Sequence, residues 1–133
     1  MKNVFGMTPL MSAALCGDEE GARFQIGRGE GVDERDDAHG MTALMMAAQK
    51  GHLAVVRLLL EKGADAGAAD ADGTNVLMWA VPSGNAAVVE CLLAAGADPA
   101  ARNARGLNPA MMAAMLGFKD IVQLLKTPPS RIS

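Results

Sequence analysis

The sequence predicts an all-α solenoid in which helix-turn-helix units stack side by side, and the spacing of glycine carries that expectation. Gly6, Gly40, Gly73 and Gly106 form one row and Gly17, Gly51, Gly84 and Gly117 a second, both advancing by 34, 33 and 33 residues. A third row, Gly29, Gly63 and Gly96, advances by 34 and 33, so every unit keeps one layout and the extra residue lies between Gly29 and Gly40. The apolar residues between these glycines recur at helical spacing. A period of this size belongs to an array of hairpins and not to a single globular core.

The unit from Gly40 to Ala66 is the template. Thr42 is placed to cap a helix through Gln49 whose apolar side is Leu44, Met45 and Ala48, and Gly51 supplies its left-handed end. Leu53, Val55, Val56, Leu58, Leu59 and Leu60 then make a broad stripe that Gly63 closes. The residues before the next glycine are too few for a third helix and suit an extended finger with a tight turn near Ala71 and Asp72. One hairpin leaves its own stripe uncovered. Neighbours must bury it, and each fully buried Leu or Val is worth about 1.5–3 kcal/mol, so the stack is expected to fold cooperatively.

The other units are imperfect copies. In the first, about residues 3–36, the second helix DEEGARFQIGRG opens with Asp18, Glu19 and Glu20, which suit the helix dipole, and carries Gln25 where later copies have Leu. That is the polar face of a terminal cap. Gly21 and Gly27 weaken this helix by up to about 1 kcal/mol each, marking the least stable edge. The second unit is about 37–69. In the third, about 70–102, Pro82 in the last turn of the first helix removes the bond to Met78 and bends the helix end, as a tolerated irregularity or a functional kink. The fourth, about 103–126, has Met115 and Leu116 where the second has Gln49 and Lys50, so it lacks a polar finish. That oily edge is open to a partner, to a second copy, or to cover by residues 127–133, TPPSRIS, expected to be a mobile tail.

Composition fits such an array. The chain of 133 residues sets a prior of one domain, and half of it is apolar. Three Phe, one Trp and no Tyr leave Ala, Leu, Val and ten Met as packing material, so the helices approach through small side chains. The formal net charge is −3, with ten acidic against seven basic residues in 1–66 and five of each in 67–133. This balance disfavours nucleic acid or an anionic membrane as a partner. The start, MKNVFGMTPL, does not read as a leader, and no stretch approaches bilayer-spanning length, so the chain reads as cytoplasmic. Cys16 and Cys91 read as free thiols of a reducing compartment.

The segments GMTPLMSAALCG, GMTALMMAAQKG, GTNVLMWAVPSG and GLNPAMMAAMLG resemble the first helix of the ankyrin repeat with its T-P-L-H-x-A-A signature. HLAVVRLLLEKGAD and NAAVVECLLAAGAD resemble its second helix and turn. The resemblance covers residues 3–126, within a single domain at 1–126. It implies antiparallel helix pairs with short β-hairpin fingers, stacked into a curved slab whose concave face of fingers and first helices binds other proteins. The chain departs from the signature at its His, which is Met11, Met45, Met78 and Met111, so the His hydrogen bonds to the adjoining finger are expected to give way to burial of a thioether. Thr8 and Thr42 become Asn75 and Asn108, which still cap. Pro is kept at Pro9 and Pro109, at the first helical position. At the finger base the family's Asn is replaced by Asp33, Gly67 and Ala100.

On this resemblance the chain is a non-catalytic module for a protein partner. The expected contacts are Met7, Met41, Thr74 and Leu107 after each leading glycine, and the finger residues Ala38, His39, Ala71, Asp72, Arg102, Ala104 and Arg105. Gln49, Lys50, Pro82, Ser83, Met115 and Leu116 at the helix ends complete the set with Trp79. The first row is mostly apolar and flanked by charge, a greasy centre with a polar rim. Met41→Glu or Leu107→Glu is expected to abolish binding with little loss of fold. The fingers grade from Asp33, Glu34, Asp36 and Asp37 through Asp70 and Asp72 to Arg102 and Arg105, read as solvated tips or as a polarised groove that orients a ligand. Trp79 reads as packing between first helices or as an anchor for the partner. A monomer is expected, with a homodimer through the C-terminal edge as the alternative.

Other chemistry finds no parts. Met11, Met45, Met78 and Met111 lie in different units, and helix packing separates neighbours by roughly 8–10 Å, too far to share a soft metal ion. His39 sits on a finger and His52 at a helix start, where it matches the family's structural G-H pair. Cys16 and Cys91 are two units apart and do not bridge. Cys91 aligns with the core position Leu58, and Cys16 with Lys50. With no nucleophile-and-base constellation either, neither enzyme activity nor a cofactor is expected.

Overall fold

The structure is a computed structural model that describes residues 2–126; the segment expected to be a tail, 127–133, lies outside the described residues. Four hairpins follow one another: α1 (Pro9–Cys16) with α2 (Glu19–Gly27), α3 (Ala43–Lys50) with α4 (Leu53–Glu61), α5 (Val76–Ala80) with α6 (Ala86–Ala94), and α7 (Pro109–Leu116) with α8 (Lys119–Lys126). The first helices pack on one another in sequence as one layer and the second helices as another. The buried residues form one continuous cluster through the stack, with Leu44, Met45, Val55, Leu59, Leu77 and Leu92 among its centre.

Local chemistry sets each helix start. Thr8, Thr42, Asn75 and Asn108 sit in extended backbone and accept the N–H of Met11, Met45, Met78 and Met111 at 3.2, 3.3, 2.9 and 2.8 Å. At the first of these the exchange is mutual, because the Met11 sulfur accepts the Thr8 N–H at 3.3 Å. Met11, Met45 and Met78 are at most 1% exposed, so the thioether takes up the buried space at the signature's His. At the helix ends Gly51 and its copies in the same row lie between φ +70 and +80, a conformation costly for any residue with a Cβ. Pro82 acts as expected: α5 stops at Ala80 and continues as a single 3₁₀ turn, Val81–Ser83.

The fingers are tighter than β-hairpins. Among the described residues there is no strand, and ladder pairing is limited to an isolated antiparallel bridge between Ala69 and Asn75. An Asx turn replaces the hairpin ladder. The side chains of Asn3, Asp36, Asp70 and Asn103 each accept two backbone N–H groups of their own tip, at 2.9–3.1 Å. These four residues also locate the extra residue. The Asp36 N–H closes on Met41 O, whereas Asn3, Asp70 and Asn103 close on Met7, Thr74 and Leu107, one residue nearer. The insertion is therefore in the tip of the second finger.

Candidate functional site

Stacking sets the finger tips in a row beside the starts of the first helices. One backbone bond joins each consecutive pair: Asp37 N–H to Gly6 O at 3.2 Å, Ala71 N–H to His39 O at 3.0 Å and Ala104 N–H to Asp72 O at 2.9 Å. Two cations brace the bases. Lys2 Nζ donates to Arg35 O at 2.8 Å, and Arg35 Nη1 donates to Ala69 O at 2.6 Å and to Gly40 O at 2.8 Å. Lys2, Arg35 and Ala69 are successive copies of one position, so each cation reaches the same carbonyl of the next unit. Lys2 also meets Asp37 Oδ1 at 2.9 Å, and that hydrogen bond, with the charges of Asp37, Glu34 and Asp36, holds its ammonium above the ordinary 10.5.

A groove of about 290 Å³ opens between the third and fourth fingers. It brings together Asp72, Thr74, Trp79, Pro82, Ala104, Arg105 and Leu107 from the expected set and adds Asn103 and Met112. Trp79 is half-buried there. Its indole Nε1–H donates to Asp70 Oδ2 at 3.0 Å, while Asp70 Oδ1 accepts from the Asp72 and Thr74 N–H groups at 2.9 and 3.0 Å. One buried carboxylate thus folds the tip and aims the indole. Exposed Asp72 and Arg105 give the groove opposite charges, neither of them ion-paired among the described residues.

A shallower depression between the first and second fingers collects Met7, Ala38 and His39 with Val4 and Phe5. Val4 and Phe5 were not in the expected set, yet they are 93% and 72% exposed. The signal was their register, because they occupy in the first finger the places of Ala71 and Asp72 in the third.

Met41 is a correction. It is 8% exposed and belongs to the core cluster, since its long side chain, with a unit on either side, folds inward. Met41→Glu would therefore bury a carboxylate and damage the fold. Met7, Thr74 and Leu107 in the same row are half-buried. Ser83 is engaged locally, donating to Ala80 O at 2.6 Å and accepting the Asn85 N–H at 3.1 Å. Arg102 braces its own finger through Gly106 O at 2.7 Å. Ala71, Lys50 and Pro82 are exposed and Gln49 is half-buried. Met115 and Leu116, 73% and 50% exposed, line neither groove and form the edge of the last unit.

Among the described residues no three His, Cys, Asp or Glu side chains converge, and no helix is long and apolar enough to cross a membrane. His52 is structural in its contacts, with Nε2 3.0 Å from Leu15 O of the preceding unit. Cys16 is exposed; Cys91 is half-buried and packs against the core cluster, and both are free thiols.

A family profile described as ankyrin repeats (3 copies) matches residues 1–70 and 77–131. The chain is 40% identical over 60 residues to the mouse ankyrin repeat and SAM domain-containing protein 6, covering 45% of this chain and 7% of that protein. It is 48% identical over 59 residues to a putative ankyrin repeat-containing protein of Treponema pallidum (strain Nichols), covering 44% and 20%. It is 39% identical over 61 residues to inversin of Danio rerio, covering 46% and 6%. The matched stretch thus spans at most a fifth of these relatives.

Proposed function

The chain belongs to the ankyrin-repeat family, whose repeats are generally protein–protein interaction modules, and from that premise we propose that it is a non-catalytic module holding a protein partner on its fingers and first helices. The observation that supports this reading best is the groove between the third and fourth fingers. An aromatic ring is aimed into it by a buried carboxylate, apolar Leu107 and Met112 adjoin the ring, and Asp72 and Arg105 stand beside it. Aromatic anchors in pre-shaped pockets with charged surroundings are where binding energy concentrates. The opposed charges suit a ligand segment that presents both signs, the orienting role expected of a polarised groove. Two free thiols support a reducing compartment, such as the cytoplasm, for this work.

The test begins with affinity capture of the partner and proceeds to binding measurements on variants. Trp79→Ala and Leu107→Glu should each weaken binding by about 2 kcal/mol or more, the scale of an interface hot spot. Arg57→Glu, an exposed change on α4, should leave affinity unchanged. Undiminished binding by both groove variants would overturn the placement. A second reading, self-association through the C-terminal edge, is favoured by the exposure of Met115 and Leu116.

A further inference from the structure

The last unit ends in a face that the next hairpin covers in each of the three units before it. A Cβ built on Gly17, Gly51 or Gly84 would meet the residue after the next unit's glycine, His52 at 2.7 Å, Asn85 at 3.6 Å and Phe118 at 3.2 Å; on Gly117 it meets nothing within 4 Å among the described residues. A Cβ on Gly6, Gly40 or Gly73 would meet the next finger in the same way, and on Gly106 it meets nothing within 4 Å among the described residues. Met111 is 38% exposed although its three copies are at most 1% exposed. Ala114 is exposed, while Ala14, Ala48 and Val81 are 0% exposed. Arg35 spans to the next unit's backbone, but among the described residues its copy Arg102 reaches only its own finger and the Met111 sulfur. Among the described residues the C-terminal face is therefore an uncovered copy of a junction whose occupant is seen three times: the leading side of a hairpin of this same build.

The first unit carries one such leading side, also uncovered among the described residues. Met7, Pro9, Ala13 and Cys16 line a groove of about 560 Å³ there. Ala13 is half-buried, whereas its copies Ala47, Ala80 and Ala113 are 0% exposed. The Val4 N–H, in register with the Ala71 and Ala104 N–H groups that bond to the preceding finger, has no acceptor among the described residues. Charge agrees with the fit. Asp18 stands at the position of His52, Asn85 and Phe118, so a second copy's Asp18 arrives at the Gly117 notch, which Lys119 flanks.

We infer that the C-terminal face of one copy receives the N-terminal face of another, head to tail, by the relation that already joins neighbouring units. This rests on the self-association reading and refines it, because a dimer of two C-terminal edges would be isologous and closed. A head-to-tail contact is heterologous and leaves one face free at each end, so assembly continues with concentration.

Sedimentation velocity of the full chain from micromolar to millimolar concentration tests it, with Ala13→Glu blocking the leading face and Ala114→Glu the trailing face. Ser12→Glu is the second leading-face variant should Ala13→Glu lose its fold by circular dichroism. The expected result is growth past the dimer for the parent chain, monomers for each variant alone, and a 1:1 complex that grows no further when the two are mixed. A parent chain that stays monomeric overturns the inference. A leading-face variant that still dimerises overturns it in favour of facing C-terminal edges, which keeps the self-association reading. Protein binding at the finger face is read separately in the same variants, so its failure is distinguishable from either outcome.

Discussion

Asp70 is the side chain on which the groove depends, and two substitutions separate its two duties. It is 9% exposed and accepts three hydrogen bonds, two from its own finger tip and one from the Trp79 indole. Bonds to a charged acceptor contribute about 1.5–3 kcal/mol each when buried, and less where water replaces the partner, as it does for the part-exposed tip amides. Asp70→Ala removes all three and should cost about 2–4 kcal/mol. Asp70→Asn is more selective. Asn3 and Asn103 already fold the first and fourth tips with the same pair of bonds, so an amide satisfies the tip. Its oxygen placed there, the NH₂ group faces the indole N–H, donor against donor. The expected cost is about 1–2 kcal/mol, nearly all of it from Trp79.

Urea unfolding followed by circular dichroism measures those costs. Trp79, the sole tryptophan, reports its own environment by fluorescence. Asp70→Asn should shift its emission to the red as the indole is released toward water, and Trp79→Phe should remove most of the penalty of Asp70→Asn, giving a coupling of about 1 kcal/mol in the double-mutant cycle. Additive costs with unchanged emission in Asp70→Asn would refute the claim that this carboxylate positions the ring.

The register makes further comparisons possible between copies of one position. Met45→Ala should cost about 2–5 kcal/mol and Met111→Ala about 1 kcal/mol or less, since the first side chain is fully buried and the second 38% exposed; similar denaturation midpoints would contradict the stacking. Gly117→Ala should cost about 1–2 kcal/mol for its left-handed backbone alone, and Gly84→Ala more, because the added methyl comes within 3.2 Å of the Phe118 ring; equal costs would show that the junction yields freely. The raised pKa of Lys2 means that its hold on the second finger is complete below the ordinary 10.5 and is lost as pH climbs through the higher folded value. The thermal midpoint of the parent chain should therefore fall further than that of Lys2→Met as pH rises beyond 10.5, and parallel pH profiles would contradict this role for Lys2.

How much of this could be read beforehand follows from how local each determinant is. Helix starts at Thr8, Thr42, Asn75 and Asn108 and glycine ends such as Gly51 depend on a few adjacent residues, and the structure has them where spacing placed them. The Asx residues recur as regularly, at 33, 34 and 33, but they are Asn at the two ends and Asp in the middle and point at no hydrophobic period, so the insertion in the second tip was bounded by Gly29 and Gly40 without being located. Met41 shares a register position with Met7, Thr74 and Leu107. Its burial comes from having a unit on either side, since Met7, an equally long side chain at the first unit, stays half-buried, and register alone does not express that. The Asp70 to Trp79 bond joins residues nine apart across a turn, a separation that no helical or strand repeat marks.

The same symmetry separates scaffold from recognition surface. The row that ends in Met11, Met45, Met78 and Met111 repeats one residue, because three of its four members face a filled core that tolerates little change. The residues just before each leading glycine, Phe5, His39, Asp72 and Arg105, hold an equivalent backbone position and share no chemistry. Their backbones do the structural work: the carbonyls of His39 and Asp72 accept the bonds from the next finger, and the Asx residues close the turns beneath them. Their side chains stand exposed in one line and contribute little to the fold. A position whose backbone is fixed and whose side chain is energetically free is where a binding surface can vary at least cost to stability. The groove beside Trp79 is where the two kinds of position meet, since Asp70 folds the same tip that displays Asp72, and the next tip displays Arg105 across from it.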